Sequence, residues 1–175
     1  MRSLVSPPAS AAPSTHLLIV NDHQQLRWTL TDECMIFESR RADTACRAVR
    51  RCDEALIYAT EGCFQGWAPG RVIGLATVTS DVGPLGQPVI LQGRRFASGG
   101  SLRIHGLTPY DEGVVLRDLA PYLHTFADRK PWSAPLGWPP LTLPPSDADL
   151  LRRELQPLLR PYSATVGGYD FPGAA

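Results

Sequence analysis

Two short apolar runs joined by a connector constrain this chain of 175 residues more than any other feature. Residues 55–60 read ALIYAT and residues 72–79 read VIGLATVT. Both runs are rich in β-branched or aromatic residues and are bounded by turn residues, which indicates two strands. The connector, residues 61–71, contains three glycines and a proline and is therefore predicted to be a loop. Because it also carries Cys63, Phe64 and Trp67, we expect it to form one wall of a pocket between the strands.

The charge of the chain is balanced and its cations are nearly all arginine. The sequence has 17 Lys and Arg against 17 Asp and Glu, and Lys130 is its one lysine. The overall field therefore favours neither nucleic acid nor a membrane, and such a partner requires a local basic patch. A mechanism that needs a lysine has Lys130 as its one candidate.

Cysteine spacing and hydropathy exclude several classes of protein. The four cysteines form no C-x-x-C pair, which argues against structural zinc and predicts free, mostly buried thiols. No run reaches 18 apolar residues, and residues 1–15 lack the apolar core of a signal peptide. We therefore expect a cytoplasmic protein with no membrane partner and no cofactor.

The rest of the chain predicts one domain of short elements. Residues 1–15, rich in Pro, Ala and Ser, are expected to be a disordered tail, 16–157 the domain, and 158–175 a flexible C-terminal tail. The predicted strands are 16–20, 88–96 and 101–107, besides the two above, with a turn at 97–100 and a sixth strand at 141–143 as an option; residues 35–37 are a short apolar segment. The predicted helices are 23–31, 44–51 and 147–156, capped by Asp22, Asp43 and Ser146.

Short strands separated by loops, with helices at one end and at the terminus, predict an α+β fold. The expected architecture is a small, mostly antiparallel barrel of five to six strands flanked by short helices. The spacing needed for long βαβ units is absent, which argues against a dinucleotide-binding fold.

No common catalytic motif occurs in the sequence. The chain has no G-x-S-x-G, Walker loop, H-E-x-x-H or strand-linked G-x-G-x-x-G. The four histidines are expected at the surface or at strand ends, and the acidic pairs at solvated turns and caps (His16, His23, His105, His124; Asp53-Glu54, Asp111-Glu112, Asp147 with Asp149).

A set of ring and guanidinium side chains could instead converge on one pocket. Aromatic rings stack on nucleic-acid bases, an Asn amide reads a base edge and Arg binds phosphate. For each ring taken singly, packing in the core is the simpler explanation. The candidates are Asn21, Trp28, Phe37, Arg40, Arg41, Tyr58, residues 60–67 (with Thr60, Cys63 and Trp67), Arg103 and Trp132.

The order of these motifs resembles the EVE domain of the PUA-like superfamily, in its stand-alone actinobacterial form. The matching segments are LLIVN, MIFESRRA, DEALIYATEGCF, GRVIGLATVTSDV and SLRI, and the likeness covers residues 16–156. One departure is the Asp53-Glu54 order, with Cys52 where glycine is common in the family.

The resemblance implies a PUA-like pseudo-barrel that holds a modified base of DNA or RNA in an aromatic pocket. By position, the implied lining is Asn21, Trp28, Tyr58, Thr60 and Cys63, with Arg40 and Arg41 at the mouth. Trp132 is the implied lid.

Two other functions stay open at this point. A small-molecule or protein-interaction regulator could use the same pocket; a positive rim from Arg40, Arg41 and Arg103 would favour nucleic acid, and a neutral rim a small ligand. An amidohydrolase of the ASCH group, with Lys130 in its chemistry, is the enzymatic alternative to a non-catalytic binding module.

Overall fold

A computed structural model describes residues 11–137 and 139–170. Its strands are β1 (Thr15–Val20), β2 (Cys34–Glu38), β3 (Glu54–Ala59), β4 (Arg71–Val78), β5 (Gly83–Leu91), β6 (Arg94–Leu107), β7 (Val114–Val115), β8 (Leu141–Leu143) and β9 (Arg160–Pro161). Its α-helices are α1 (His23–Asp32), α2 (Ser39–Ala48), α3 (Leu116–Leu119), α4 (Pro145–Leu155) and α5 (Tyr162–Thr165). Short 3₁₀ turns cover Glu61–Cys63, Ala120–Tyr122, Ala134–Gly137, Gln156–Leu158 and Val166–Tyr169.

Six of these strands form a curled sheet in the order β2-β6-β4-β3-β1-β8. β5 and β9 pair with β6, and β7 pairs with β4. Among the described strands only β1 and β3 run parallel, and the other pairs are antiparallel. The sheet is a half-barrel flanked by short helices, which confirms the predicted α+β barrel-like fold. β1 and β2 follow each other in the chain but do not pair, so a seam is left between them.

The parallel pair is buried on both faces, which explains why its sequence reads as continuous apolar runs. Leu18 and Val20 of β1 join one hydrophobic cluster, and Leu17 and Ile19 join the other. Helix α1 packs on the first cluster and α4 on the second. The predicted cap at Asp22 is confirmed, because its carboxylate accepts a hydrogen bond from the amide of Gln25 at 2.8 Å.

The other two predicted caps are wrong. α2 begins at Ser39, directly after β2, so Asp43 lies inside the helix instead of at its start. α4 begins at Pro145, and Ser146 is its second residue. Pro145 supplies a φ suited to a first helical position, which starts this helix without a side-chain cap.

The predicted turn at 97–100 is also wrong. The chain reverses at Gln92 and Gly93, whose φ values are 49° and 75°, as in a two-residue hairpin. Residues 97–100 continue β6 and pair with β2. Gly99 is required there by proximity, since a Cβ would overlap the carbonyl oxygen of Met35.

Residues 158–170, which were predicted to belong to a flexible tail, pack against the rest of the domain in the structure. Tyr169 is 1 % exposed in the first cluster, and its hydroxyl donates to the carbonyl of Thr108 at 2.8 Å. The Tyr162 hydroxyl donates to the carbonyl of Leu30 at 2.6 Å. Two tyrosines therefore hold this segment to α1 and the end of β6. Residues 1–10 and 171–175 of the predicted tails lie outside the described residues.

A buried polar contact joins the starts of the two parallel strands. His16 is 1 % exposed, and its Nε2 donates to Asp53 at 2.8 Å. Burial alone would raise the pKa of Asp53, but hydrogen bonds from His16 and from the amides of Arg50 and Ser14 hold it below its usual value. His16 lies at the start of β1, as one of the two predicted locations for the histidines, but it is buried and not at the surface. The prediction of a solvated turn carboxylate is wrong for Asp53, which is 6 % exposed.

The cysteines are free, as predicted, but they are not mostly buried. Cys63 is buried, Cys34 is half-buried, and Cys46 and Cys52 are exposed. Cys46 lies on α2 and Cys52 lies in the turn that follows this helix, and both are exposed to solvent.

Candidate functional site

A cleft opens at the seam between β1 and β2, where the half-barrel does not close. We call it the seam cleft, and its volume is about 190 Å³. The end of β1, α1, β2, the start of α2, β6 and the 134–139 segment surround it. Its lining residues are Ile19, Asn21, Gln25, Ile36, Phe37, Glu38, Arg40, Arg41, Arg94, Phe96, Leu136, Gly137 and Pro139.

Gln25 lines the seam cleft and carries a buried side-chain acceptor that has no donor among the described residues. The residue is 6 % exposed, and the acceptor is its Oε1 atom. Leaving such an atom unsatisfied costs about 1–3 kcal/mol. A ligand with an N–H or O–H group would remove that cost, so Gln25 marks the cleft as a place where a polar ligand edge can bind.

The floor of the seam cleft is apolar and its rim is cationic. Phe37 and Phe96 line the cleft and are 4 % and 1 % exposed. Arg94 pairs with Glu38 at 2.7 Å and with Asp22 at 3.0 Å, so two carboxylates balance its charge. Arg40 has an 88 % exposed side chain and only a 4.0 Å approach to Glu38. Its guanidinium can therefore meet an anion at the mouth.

A second cleft lies beyond the end of β3. We call it the Tyr58 cleft; its volume is about 340 Å³, and its lining residues are Tyr58, Thr60, Glu61, Pro69, Gly70, Arg117, Trp132, Ser133 and Leu136. Burial, and then the nearby Glu61, raise the pKa of Tyr58 to about 12, which keeps its hydroxyl protonated. The ring of Trp132 packs on Phe126, with 6.0 Å between centroids.

The two clefts meet at the carboxyl ends of the parallel strands. Asn21 follows β1 and lines the seam cleft, whereas Thr60 follows β3 and lines the Tyr58 cleft. The Thr60 hydroxyl donates to the carbonyl of Asn21 at 3.2 Å. Leu136 lines both clefts, so the 134–137 turn lies between them. The single pocket expected from the sequence is therefore two adjoining clefts.

Seven of the residues named as candidates border these clefts. Asn21, Phe37, Arg40 and Arg41 line the seam cleft, and Tyr58, Thr60 and Trp132 line the Tyr58 cleft. Gln25, Arg94 and Phe96 were missed by the sequence analysis. The signal for Gln25 was its position four residues before Thr29, on the buried side of α1.

The other four predicted residues lie elsewhere. Cys63 is fully buried in the core, where its thiol donates to the carbonyl of Val20 at 3.2 Å. Trp67 is completely exposed, so the 61–71 loop does not turn this ring inward. Trp28 is half-buried on α1 and lines neither cleft. Arg103 lies on the solvent face of β6, seven residues from Phe96 and hence about 23 Å along the strand.

Within residues 11–137 and 139–170, no cluster of three or more His, Cys, Asp or Glu could hold a metal ion. Lys130, which the enzymatic alternative requires, is exposed and lines neither cleft. The described helices include none that is long and apolar enough to cross a membrane.

In sequence, the chain matches no protein-family model and no curated protein. Its fold does have solved relatives. A hypothetical protein from Leishmania major is similar with a TM-score of 0.55 and 13 % identity, over 81 % of this chain and 94 % of that one. The YTH domain of Mmi1, solved in complex with RNA, has a TM-score of 0.52 and 9 % identity, over 82 % of this chain and 78 % of the domain.

A third relative is the YTH domain of the MRB1 protein from Zygosaccharomyces rouxii, solved with N6-methyladenosine RNA. Its TM-score is 0.50 with 10 % identity, over 84 % of this chain and 91 % of that one. Identities this low show likeness of fold alone. The chain is therefore similar in fold to these YTH domains.

Proposed function

We propose that this protein is a non-catalytic nucleic-acid-binding module that holds one modified base in the seam cleft. The observation that carries the proposal is Gln25, which lines that cleft and whose buried Oε1 has no donor among the residues that the structure describes. The exocyclic amino group of adenine or cytosine is a donor of the kind that this atom lacks. Asn21, exposed at the mouth, can bond to a second position on the base edge.

The rest of the cleft matches the other parts of a nucleotide. The Phe37 and Phe96 side chains form an apolar floor that suits a methyl group, whose transfer from water is worth about 0.8 kcal/mol. The guanidinium of Arg40 at the rim suits a phosphate. A volume of about 190 Å³ is below the roughly 300–1,000 Å³ of sites for drug-sized ligands, which favours a single flipped-out base.

The comparisons support this proposal at the level of the fold. Two relatives of the same fold were solved with RNA, one of them carrying N6-methyladenosine. The finer assignment to the EVE domains depends on the order of the LLIVN, MIFESRRA and DEALIYATEGCF segments. The aromatic pocket predicted from sequence becomes, in this proposal, a cleft lined by two phenylalanines and a glutamine.

Fluorescence anisotropy with labelled single-stranded pentamers tests the proposal. The central base is N6-methyladenine, adenine, 5-methylcytosine or cytosine, each in RNA and in DNA. We expect at least one methylated probe to bind about fourfold more tightly than its plain partner, as one buried methyl group predicts. Equal binding within every pair, or no binding, would contradict the proposal.

Gln24 offers a matched control for Gln25, because it is the same residue type on the same helix but is exposed. Gln25→Ala is expected to weaken the methylated probe by about 3- to 10-fold, the value of one buried hydrogen bond. Gln24→Ala should leave affinity unchanged. If the two substitutions change affinity equally, the seam cleft is not the binding site.

A free small molecule is the second candidate, favoured by the compensated charge of Arg94. If the ligand is a free nucleoside, N6-methyladenosine or 5-methylcytidine alone will compete fully with the pentamer at similar concentration. If the rim binds phosphate, the pentamer will bind more tightly than the nucleoside, and Arg40→Gln will remove that advantage.

A further inference from the structure

The Tyr58 cleft has the chemistry of a second base site, and the base in the seam cleft does not occupy it. One wall is the half-buried ring of Trp132, which is held in place by the buried ring of Phe126. Aromatic side chains stack on any base because every base has a π-face. The protonated hydroxyl of Tyr58 and the hydroxyl of Thr60 add hydrogen-bonding groups at the other end of the cleft.

The lining of the Tyr58 cleft contains one cation, Arg117, and one anion, Glu61. Arg117 is exposed, and its one ion pair is a 4.0 Å approach to the exposed Asp118, which contributes little. It can therefore bind a phosphate. Glu61 would repel a phosphate but can accept from an exocyclic amino group. The arrangement suits a nucleotide whose backbone lies towards Arg117 and whose base edge lies towards Glu61.

The connection between the clefts sets how two nucleotides could be placed. Leu136 lines both, and the strand ends below them are joined by the Thr60–Asn21 hydrogen bond. Neighbouring strands lie about 4.8 Å apart. The two clefts are therefore close enough for adjacent nucleotides of one strand to bind, one in each cleft, with the Leu136 side chain between their bases.

We propose that the Tyr58 cleft binds the base next to the one in the seam cleft, stacked on Trp132, so that two successive nucleotides straddle Leu136. This inference rests on the proposed function. It extends the ligand from one base to a dinucleotide step of single-stranded nucleic acid.

The test is a thermodynamic cycle between Trp132 and the neighbouring base. The probe is whichever of the four methylated pentamers binds most tightly, together with two versions in which the base on the 5′ or the 3′ side is replaced by an abasic sugar. Trp132→Ala should weaken the intact probe by about 5- to 100-fold, as loss of one base stack predicts. On the abasic probe that lacks the base stacked on Trp132, the same substitution should change affinity less than about twofold, because there is no stack to lose.

A second variant tests the inference even if the Trp132→Ala protein fails to fold. Arg117→Gln changes only an exposed side chain, and it should lower the slope of log K against log salt by about 0.7, the value for one single-strand phosphate contact. Arg153→Gln is its control, on an exposed arginine of α4. An unchanged slope for Arg117→Gln, or equal losses for Trp132→Ala on all three probes, would overturn the inference.

The cycle separates this inference from the proposed function. If Gln25→Ala weakens binding while the Trp132 and Arg117 variants match the wild type, only the second base site is rejected. If the wild type binds none of the pentamers, both proposals are rejected.

Discussion

The hydroxyl of Thr60 donates to the carbonyl of Asn21 at 3.2 Å, and this bond joins a lining residue of one cleft to a lining residue of the other. The two residues follow the parallel strands β3 and β1, which lie side by side. Ligand sites in sheets with parallel strands commonly lie outside the carboxyl ends of those strands. The location of both clefts therefore follows from the one parallel pair in a sheet whose other described pairs are antiparallel.

Thr60→Val tests that connection. The substitution keeps the shape of the side chain but removes the donor, and we expect a loss of about 1 kcal/mol in the free energy of unfolding. Affinity for the methylated pentamer should also fall, because the lost bond no longer holds the Asn21 backbone and Asn21 is proposed to bond to the base edge. Thr60→Ser keeps the hydroxyl and should behave as the wild type. Urea unfolding and anisotropy measure the two effects; a neutral valine variant would show that the bond does not position Asn21.

Arg40 and Arg103 provide a paired test of the rim. Both are exposed, but only Arg40 lines a cleft. Arg40→Gln should lower the slope of log K against log salt by about 0.7 on a single-stranded probe. Arg103→Gln should leave the slope unchanged. The opposite result would place the nucleic acid on the solvent face of β6, near Arg103.

Asp147 holds the turn at His124 and Thr125, which precedes Trp132 and Leu136 in the chain. Its carboxylate is 1 % exposed and accepts from the amides of His124 and Thr125 at 2.9 and 2.8 Å. Burial would raise the pKa of Asp147, but the hydroxyl and amide of Thr125 and the bonds from His124 outweigh it and lower the pKa. The stabilisation is therefore complete above about pH 4 and is lost as the pH falls through the lowered value.

Asp147→Ala should destabilise the protein at pH 7 by about 2–3 kcal/mol, the scale of hydrogen bonds to a charged group. The difference from the wild type should shrink as the pH falls below 4. Asp149→Ala, an exposed acid on the same helix, is the control. Urea unfolding across this range measures both, and a difference that grows on acidification would contradict the sign of the pKa shift.

The cysteines differ in predicted reactivity. Burial raises the pKa of the Cys63 thiol to about 12, whereas Cys46 and Cys52 are exposed. Because the thiolate is the reactive form, iodoacetamide at pH 8 should modify Cys46 and Cys52 first. Cys63 should react only after denaturation. Mass spectrometry of the peptides reads this directly, and early modification of Cys63 would show that the core around β1 opens in the native protein.

The sequence was informative where burial is two-sided. The continuous apolar runs of β1, β3 and β4 predicted those strands within one or two residues of their observed ends. It was misleading where glycine has a packing role, because the Gly99 in β6 resembles a turn signal but permits the close approach of Met35. It also missed tertiary contacts of polar residues, such as the burial of His16 against Asp53.

The candidate site was predicted in part for the same reasons. Positions at strand and helix ends, such as Asn21, Arg40 and Thr60, follow from local patterns. Whether a ring points into a cleft or into solvent depends on packing between distant segments, and this separates Trp132 from Trp67. Gln25 and Arg94 come together only because β2 pairs with β6, a contact that local sequence patterns do not encode.

The central claim is that a ligand donor reaches the buried Oε1 of Gln25. Proton–nitrogen correlation spectra of the ¹⁵N-labelled protein, titrated with the tightest methylated pentamer, test it most directly. The account predicts large shifts of the Gln25 side-chain amide and of the Asn21 side-chain amide, with the Gln24 side-chain amide unmoved. Shifts confined to residues outside the seam cleft, with an unmoved Gln25 amide, would contradict it.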